Sequence, residues 1–265
     1  MHNTCHECPP HDPCSLLLSV IVPVYNEAPT IREVLRRIVR APFSKEIVVV
    51  DDGSTDGTTA LLTDLAPLKA ALAQESPPAP FELKIFHHPR NQGKGAAIRT
   101  ALRAVTGEIV LIQDADLEYN PAEYPQLLAP LLDGRADVVY GSRFLGSPHR
   151  VLFFWHAQGN WLLTMLANLV TNLNLTDMET GYKVFRTAVL QRLTLRSDRF
   201  GFEPEVTVKV ARQGARIYEV PISYAGRTYE EGKKITWRDG VAALWTLLRY
   251  SVLESRRPPR EDRHE

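Results

Sequence analysis

The sequence predicts an α/β fold, a mainly parallel central sheet flanked by helices. Three observations predict it. Several apolar runs are unbroken rather than alternating, as strands buried on both faces require. Helical patterns separate these runs at about 30-residue spacing, the length of a strand–helix–strand unit. Three runs end in carboxylates, and open α/β sheets bind ligands in the crevice beyond their strand ends.

Taken in order, "LLLSVIVPVYNE" (16–27) reads as the first buried strand. "TIREVLRRIV" places Ile31, Val34, Leu35 and Ile38 on one helical face, and Thr30 with Glu33 has capping-box spacing. A second strand, 46–50, runs into "DDGSTDGT", with Asp51 and Asp52 at its tip and a turn at Gly53 and Gly57. A helix over 58–72, the Pro-rich "ESPPAP" and a strand over 81–87 follow. "NQGKGAAIRTALRAV" is a loop opening a helix, and "EIVLIQDAD" is a buried strand ending in acid. "PAEYPQLLAPLL" is a helix with proline breaks, and "ADVVYGSR" is the fifth strand.

Beyond Arg143 the pattern changes to long helices. Leu162, Met165, Leu166, Leu169, Val170 and Leu173 form one stripe, with Asn160, Asn168 and Asn172 off it. The last helix groups Trp237, Val241, Leu244, Trp245 and Leu248, with Arg238 and Arg249 nearby. Such stripes ordinarily face a core.

With 265 residues, 44% of them apolar, the chain can bury a full core, and 16–255 reads as one domain between tails at 1–15 and 256–265. Lys plus Arg equal Asp plus Glu at 31 each, so no basic excess points to nucleic acid. The charge is unevenly spread: 12 basic and 18 acidic residues precede Arg143, and 19 and 13 follow from it onward. An acidic half suits a metal, and a basic half suits an anionic ligand or a membrane surface. No segment reaches the ~20 apolar residues of a membrane span, and the N-terminus shows no secretion signal. The expected location is therefore cytoplasmic, or peripheral on the cytosolic face of a membrane. Cys5, Cys8 and Cys14, with His6 and His11, include one CxxC without a second, and read as a disordered tail rather than a zinc site.

The chemistry concentrates at the strand ends: Glu27 after the first, Asp51 and Asp52 after the second, Asp114 and Asp116 after the fourth. Asp-Ala-Asp sets two hard anionic oxygen donors close together, and with Glu118 they suit Mg²⁺ or Mn²⁺ bridging a diphosphate. A lone DxD is ordinarily a solvated turn; here it has company in order. No GxGxxG follows the first strand, which removes a dinucleotide dehydrogenase.

"VIVPVYNE", "VVVDDGSTDGT", "NQGKGAAIRTAL", "QDADLEYNP" and "VVYGSRF" together resemble glycosyltransferase family 2. "DMETGYKVFR", "YEVPISYAGRTYEEGKK" and the Trp-rich last helix resemble its dolichol-phosphate mannose synthase and polyprenyl-phosphate glycosyltransferase branch, over residues 18–253. The resemblance implies a GT-A fold, its nucleotide-binding part at about 16–142 and its acceptor- or membrane-facing part at about 143–255. It implies that Pro23, Tyr25, Glu27, Val50 and Asp52 contact the nucleotide, with Asp52 accepting from the base while Asp51 props the turn. Gly93, Lys94 and Gly95 match a block whose small residues let a helix N-terminus approach the nucleotide. Asp114, Ala115 and Asp116 match the donor- and metal-binding motif, and Glu118 stands where relatives place a further metal ligand. Arg143, Arg227 and Lys233 match basic residues that face phosphates.

The implied reaction is metal-dependent, inverting transfer of a hexose from a GDP or UDP sugar, with the Arg227–Lys233 segment leaning toward GDP-mannose. A polyprenyl phosphate acceptor is already anionic and needs no base. A hydroxyl on a glycan, metabolite or protein needs one, and Asp177 and Glu179 are the candidates. A catalytically silent sugar-nucleotide-binding protein is the alternative from another class. The branch's C-terminal membrane helices are not found here, so Phe153, Phe154, Trp155 and Trp161 beside an amphipathic helix are expected at the membrane surface, alone or with an anchoring partner.

Overall fold

A computed structural model describes residues 17–75, 77–151, 153–228, 230–232 and 237–253. Lys233, the Cys5–Cys8–Cys14 cluster and the side chains of Trp237 and Arg238 lie outside what it describes. The described strands are β1 (Leu18–Val24), β2 (Lys45–Asp51), β3 (Phe81–His87), β4 (Ile109–Ile112), β5 (Val138–Ser142), β6 (Lys183–Arg186) and β7 (Ile217–Pro221). They form one sheet in the order β3-β2-β1-β4-β6-β5-β7. β6 runs antiparallel to both neighbours, and all other pairs are parallel.

Helices α1 (Ile31–Val39), α2 (Thr58–Thr63), α3 (Leu65–Ala73), α4 (Lys94–Leu102) and α5 (Tyr124–Leu132) belong to the first four connections between strands. α6 (Phe154–Thr171), α7 (Thr187–Gln191), α8 (Phe202–Arg212) and α9 (Trp237–Leu253) follow. Side chains alternate along a strand, so the unbroken apolar runs feed two cores. Val20, Val22, Val24, Ile47 and Val49 pack with Val34, Leu35 and Ile38 of α1 on one face. Ile21, Val48, Val50, Val110 and Ile112 pack with Ala97 and Ala101 of α4 and Phe202 and Val206 of α8 on the other.

The strand order reverses between β1 and β4, which opens a crevice beyond their carboxyl ends. That placement puts Glu27, Asp52 and the Asp114–Asp116 segment around one space.

Three local expectations change. The helix over 58–72 is two, broken at Asp64, whose extended ψ of 86° leaves the helical region. Thr30 does not cap α1: its hydroxyl lies 2.7 Å from the Ala115 carbonyl and 2.8 Å from Glu27 Oε2, while Glu33 pairs with Arg37. β6 and β7 were not anticipated, because "KVFR" carries two cations in four residues and "IYEVP" is half-exposed.

Candidate active site

Register brings the first two motifs together, because Pro23 pairs with Val50 and Val24 with Asp51 across parallel β1 and β2. Beyond Tyr25, Asn26 adopts φ 50°, a left-handed conformation that asparagine tolerates. Its Oδ1 accepts the Thr55 N–H at 2.7 Å, and its own N–H donates to Ser54 Oγ. The two strand-end loops are thereby tied to each other.

The paired aspartates separate in role. Asp51 accepts from the Ser54 N–H at 3.1 Å and Thr59 Oγ1 at 2.6 Å, and meets His87 Nδ1 at 3.2 Å, so it props the turn. Asp52, 2% exposed, accepts the N–H groups of Gln92 at 2.9 Å and Gly93 at 2.7 Å and meets His88 Nδ1 at 2.7 Å. Three of its roughly four lone-pair sites are thus engaged within the protein. In this structure Asp52 holds the loop that leads into α4.

The glycine block has a neighbour that sequence reading did not supply. Gly93 has φ 103°, and a Cβ there would collide with the Asp198 carbonyl; one on Gly95 would collide with the Ser197 carbonyl. Ala96 N–H donates to Asp198 O at 3.0 Å. These small residues admit the 197–198 backbone against the first turn of α4. Lys94 turns inward: its Nζ lies 2.8 Å from Asp114 Oδ1 and 2.9 Å from Glu203 Oε1. Burial works against its charge, but the two carboxylates prevail and hold the ammonium well above its ordinary pKa.

Asp114 leaves β4 against Gly181, where any Cβ would meet its Oδ2. Gln113 anchors the strand end, its Oε1 accepting from the hydroxyls of Tyr124 at 2.9 Å and Tyr182 at 2.7 Å. Leu117 takes φ 63°, and Glu118 N–H donates to Asp116 Oδ1 at 3.1 Å, so this turn folds Asp116 and Glu118 toward each other. Arg227 sits among three acids: 3.1 Å from Glu27, 3.3 Å from Asp116 and 3.5 Å from Glu118. Glu118 also accepts the Arg227 N–H and the Tyr224 hydroxyl, which fixes that segment over the crevice. Burial first, then the charges of Glu118 and Asp114, push the Asp116 carboxyl up to about 8 against the opposing pull of Arg227.

Among the described residues, no three acid, imidazole or thiol side chains converge as a ready metal cage. The donor set still fits Mg²⁺ or Mn²⁺ chemically, because Mg²⁺ commonly takes one or two carboxylates and completes its shell with substrate phosphates and water. The guanidinium of Arg227 lies where a cation is favoured by Asp116 and Glu118 together.

Across the site, Arg143 follows β5 and is gripped by Asp177: Nε at 2.6 Å, one terminal nitrogen at 2.7 Å and the backbone N–H at 3.1 Å. Asn160 of α6 accepts from the same guanidinium at 3.1 Å, and the Tyr224 ring lies 5.1 Å from it. Asp177 is fully buried. Glu179 has a buried Oε1 with no hydrogen-bond partner among the described residues, and burial, then the charge of Glu203, pushes its carboxyl up to about 8. Lys183 is held by the carbonyls of Met178 and Thr180, at 2.8 and 2.5 Å, rather than by a carboxylate bond.

A model of glycosyl transferase family 2 matches residues 19–194. The chain belongs to that family. This glycosyltransferase is 32% identical over 249 residues to the undecaprenyl-phosphate mannosyltransferase of Micrococcus luteus, covering 86% of this chain and 96% of the relative. It is 25% identical over 223 residues to the dodecaprenyl-phosphate galacturonate synthase of Rhizobium johnstonii, covering 83% of this chain and 62% of that protein. Glucosyl-3-phosphoglycerate synthase of Mycobacterium tuberculosis, crystallised with Mn²⁺, UDP and glucosyl-3-phosphoglycerate, matches with a TM-score of 0.66 at 22% identity, over 88% of this chain and 79% of that one. That likeness is one of fold, the GT-A arrangement.

In the glycosyltransferase the 162–173 stripe divides: Leu166, Val170 and Leu173 pack against the second core, and Leu162, Met165 and Leu169 stand outward. Trp155 is 80% exposed, Trp161 61% and Leu169 78%, with Leu162 and Met165 also exposed on α6 and Val241, Trp245 and Leu248 on α9. The packed face of α6 carries Thr164 and Ala167, while α9 turns Ala243, Leu247 and Tyr250 inward. Where α6 meets α8 and α9, Thr164 and Ala167 are joined by Leu163, Leu166 and Val170, which pack against the second core. No described helix is long and apolar enough to cross a membrane. A cleft of about 450 Å³ between α6 and the 174–176 segment is lined by Phe144, Asn160, Trp161, Thr164, Met165 and Thr176, beside Arg143.

Sequence reading also missed Gly181, Glu203 and Tyr224, and read Thr30 only as a helix cap. Gly181 had a signal, a glycine between an acidic turn and a strand; Glu203 had a weaker one, a carboxylate framed by apolar residues in "GFEPE".

Proposed function

We propose that this glycosyltransferase moves a hexose from a nucleoside-diphosphate sugar to a polyprenyl phosphate at a lipid surface, with inversion. One observation carries the reading: a half-buried cation, Arg143, adjoins Asn160 of the helix whose outer face bears Trp155, Trp161 and Leu169. A phosphate carried on an apolar chain needs that pairing of a fixed cation with an apolar landing surface. The relatives named for undecaprenyl and dodecaprenyl phosphates support it. The location that follows is peripheral on a membrane, on the cytosolic face.

The nucleotide sits across the β1–β2 edge, beside Pro23, Tyr25, Glu27 and Val50, over the loop held by Asp52, with Gly93, Lys94 and Ala115 beneath. Asp116, with Asp114 and Glu118 in reach, would hold Mg²⁺ or Mn²⁺, which when bound supplies neutralising charge to the leaving diphosphate. Arg227 adds a fixed cation at the same place. Arg143 orients the acceptor phosphate. One of its anionic oxygens bonds to the anomeric carbon from the side opposite the diphosphate, whose carbon–oxygen bond breaks as the nucleoside diphosphate departs. No proton moves, so no base is required. Asp177, the base a hydroxyl acceptor would call for, has both oxygens bonded to Arg143.

Labelled GDP-mannose or UDP-glucose, incubated with the protein, Mg²⁺ and undecaprenyl phosphate, should yield label that partitions into organic solvent. Failure of every common donor with that acceptor, alongside transfer to a hydroxyl acceptor, rejects the reading.

A further inference from the structure

Two carboxylate oxygens beside the Asp114–Asp116 pair have no hydrogen-bond partner among the described residues. Glu203, in the first turn of α8, is 4% exposed; its Oε1 meets Lys94 and its Oε2 is buried and unpartnered. Glu179 Oε1 is the second. Buried polar atoms are almost always paired, so each such oxygen in a folded protein calls for a donor. The two belong to one place: Glu203 is the largest electrostatic influence on Glu179 after burial, and Lys183 feels both.

That place lies between the two ends of the proposed reaction. On one side Lys94 ties Glu203 to Asp114, at 2.9 and 2.8 Å. On the other, the turn bearing Glu179 also bears Asp177, which grips Arg143. In a transfer from a diphosphate near Asp114 to a phosphate near Arg143, the group between them is the sugar. A hexose presents several hydroxyl donors, and free carboxylate oxygens are acceptors for them.

We propose that Glu203 and Glu179 read the hydroxyls of the transferred hexose, with Lys94 fixing Glu203 in orientation. The inference rests on the transferase reading above and adds a sugar class. Glu203 Oε2, a buried acceptor with Lys94 on its other oxygen, favours a neutral hexose with free hydroxyls over one carrying a carboxylate, which would set acceptor against acceptor.

Calorimetry with Mn²⁺ compares bare GDP and UDP with GDP-mannose, GDP-glucose, UDP-glucose and UDP-galacturonate, on wild type, Glu203→Gln and Glu179→Gln. The neutral sugar that improves binding over its bare nucleotide in wild type should lose about tenfold of that gain in Glu203→Gln. Affinity for the bare nucleotide should stay unchanged, and UDP-galacturonate should bind no better than UDP. An equal loss for sugar nucleotide and bare nucleotide, or no loss, overturns the assignment. Should Glu203→Gln not fold, wild type decides: singly deoxygenated forms of the preferred donor must include one that binds about tenfold more weakly, and uniform binding overturns the assignment. Binding of no nucleotide at all would instead reject the transferase reading beneath it.

Discussion

Arg143 and Asp177 form a two-point ion pair, 2.6 and 2.7 Å, with the carboxylate fully buried and the guanidinium against the Tyr224 ring. The pair turns an acid with the look of a general base into the holder of a cation. Asp177→Asn should leave the half-buried Arg143 without its counter-charge and cost about 3 kcal/mol, read by urea unfolding. Arg143→Lys keeps the charge but loses the fork, and should raise the acceptor KM about tenfold while the donor KM stays put. A donor KM that rises equally would move Arg143 to the nucleotide side.

Arg227 lies where Glu27, Asp116 and Glu118 meet. Removing it as Arg227→Met should have opposite effects on two measurements. Mn²⁺ should bind the nucleotide-free protein more tightly, followed by electron paramagnetic resonance, because a competing cation is gone. Turnover should fall about a hundredfold, because the leaving diphosphate loses a fixed cation.

Gly181 admits Asp114 where a Cβ would collide with its carboxylate. Gly181→Ala should therefore displace Asp114 and Lys94 together. The expected cost is about 1–3 kcal/mol in unfolding experiments, with weaker sugar-nucleotide binding. Full stability and binding would show that the turn yields freely.

Burial alone would raise the Glu46 carboxyl, but bonds from Lys84, Ser19, Thr106 and Gly107 outweigh it and hold it down to about 2, against 4.5 unperturbed. A lowered folded-state pKa stabilises fully above the unfolded value, and the gain is lost as pH falls from 4.5 toward 2. The gain is about 3 kcal/mol at neutral pH. Urea titrations between those limits should show that loss in wild type and a shallower one in Glu46→Gln, once the other carboxylates common to both are subtracted.

The outward aromatic face of α6 predicts membrane contact. Trp155→Ser with Trp161→Ser should weaken sedimentation with anionic phospholipid vesicles by at least about tenfold. Nucleotide affinity should be unchanged. Equal vesicle binding by both proteins would take the lipid surface away from α6.

Much of this was legible in the chain. Unbroken apolar runs ending in acid placed β1, β2 and β4, because a strand buried on both faces cannot alternate and a ligand crevice needs polar groups at its mouth. The motif order placed Glu27, Asp114, Asp116 and Arg227 around one crevice before any coordinates. The 162–173 stripe was legible in part: periodicity reports that one face is apolar, but not that Leu166, Val170 and Leu173 would be covered while Leu162, Met165 and Leu169 stay outward. Thr164 and Ala167, too small to register in a hydrophobic pattern, complete the packed face beside Leu163, Leu166 and Val170.

The sequence by itself determined the class of fold, the family and the residue types able to meet a diphosphate. Only the tertiary structure decided their partners: Asp177 to Arg143, Lys94 to Asp114 and Glu203, Asp52 to the 92–93 backbone. The physical reason is that a strand's burial is written in its own side chains. The state of a carboxylate depends instead on which donors the fold brings within hydrogen-bond reach, and those lie far off along the chain, 34 positions for Arg143–Asp177 and 109 for Arg227–Glu118.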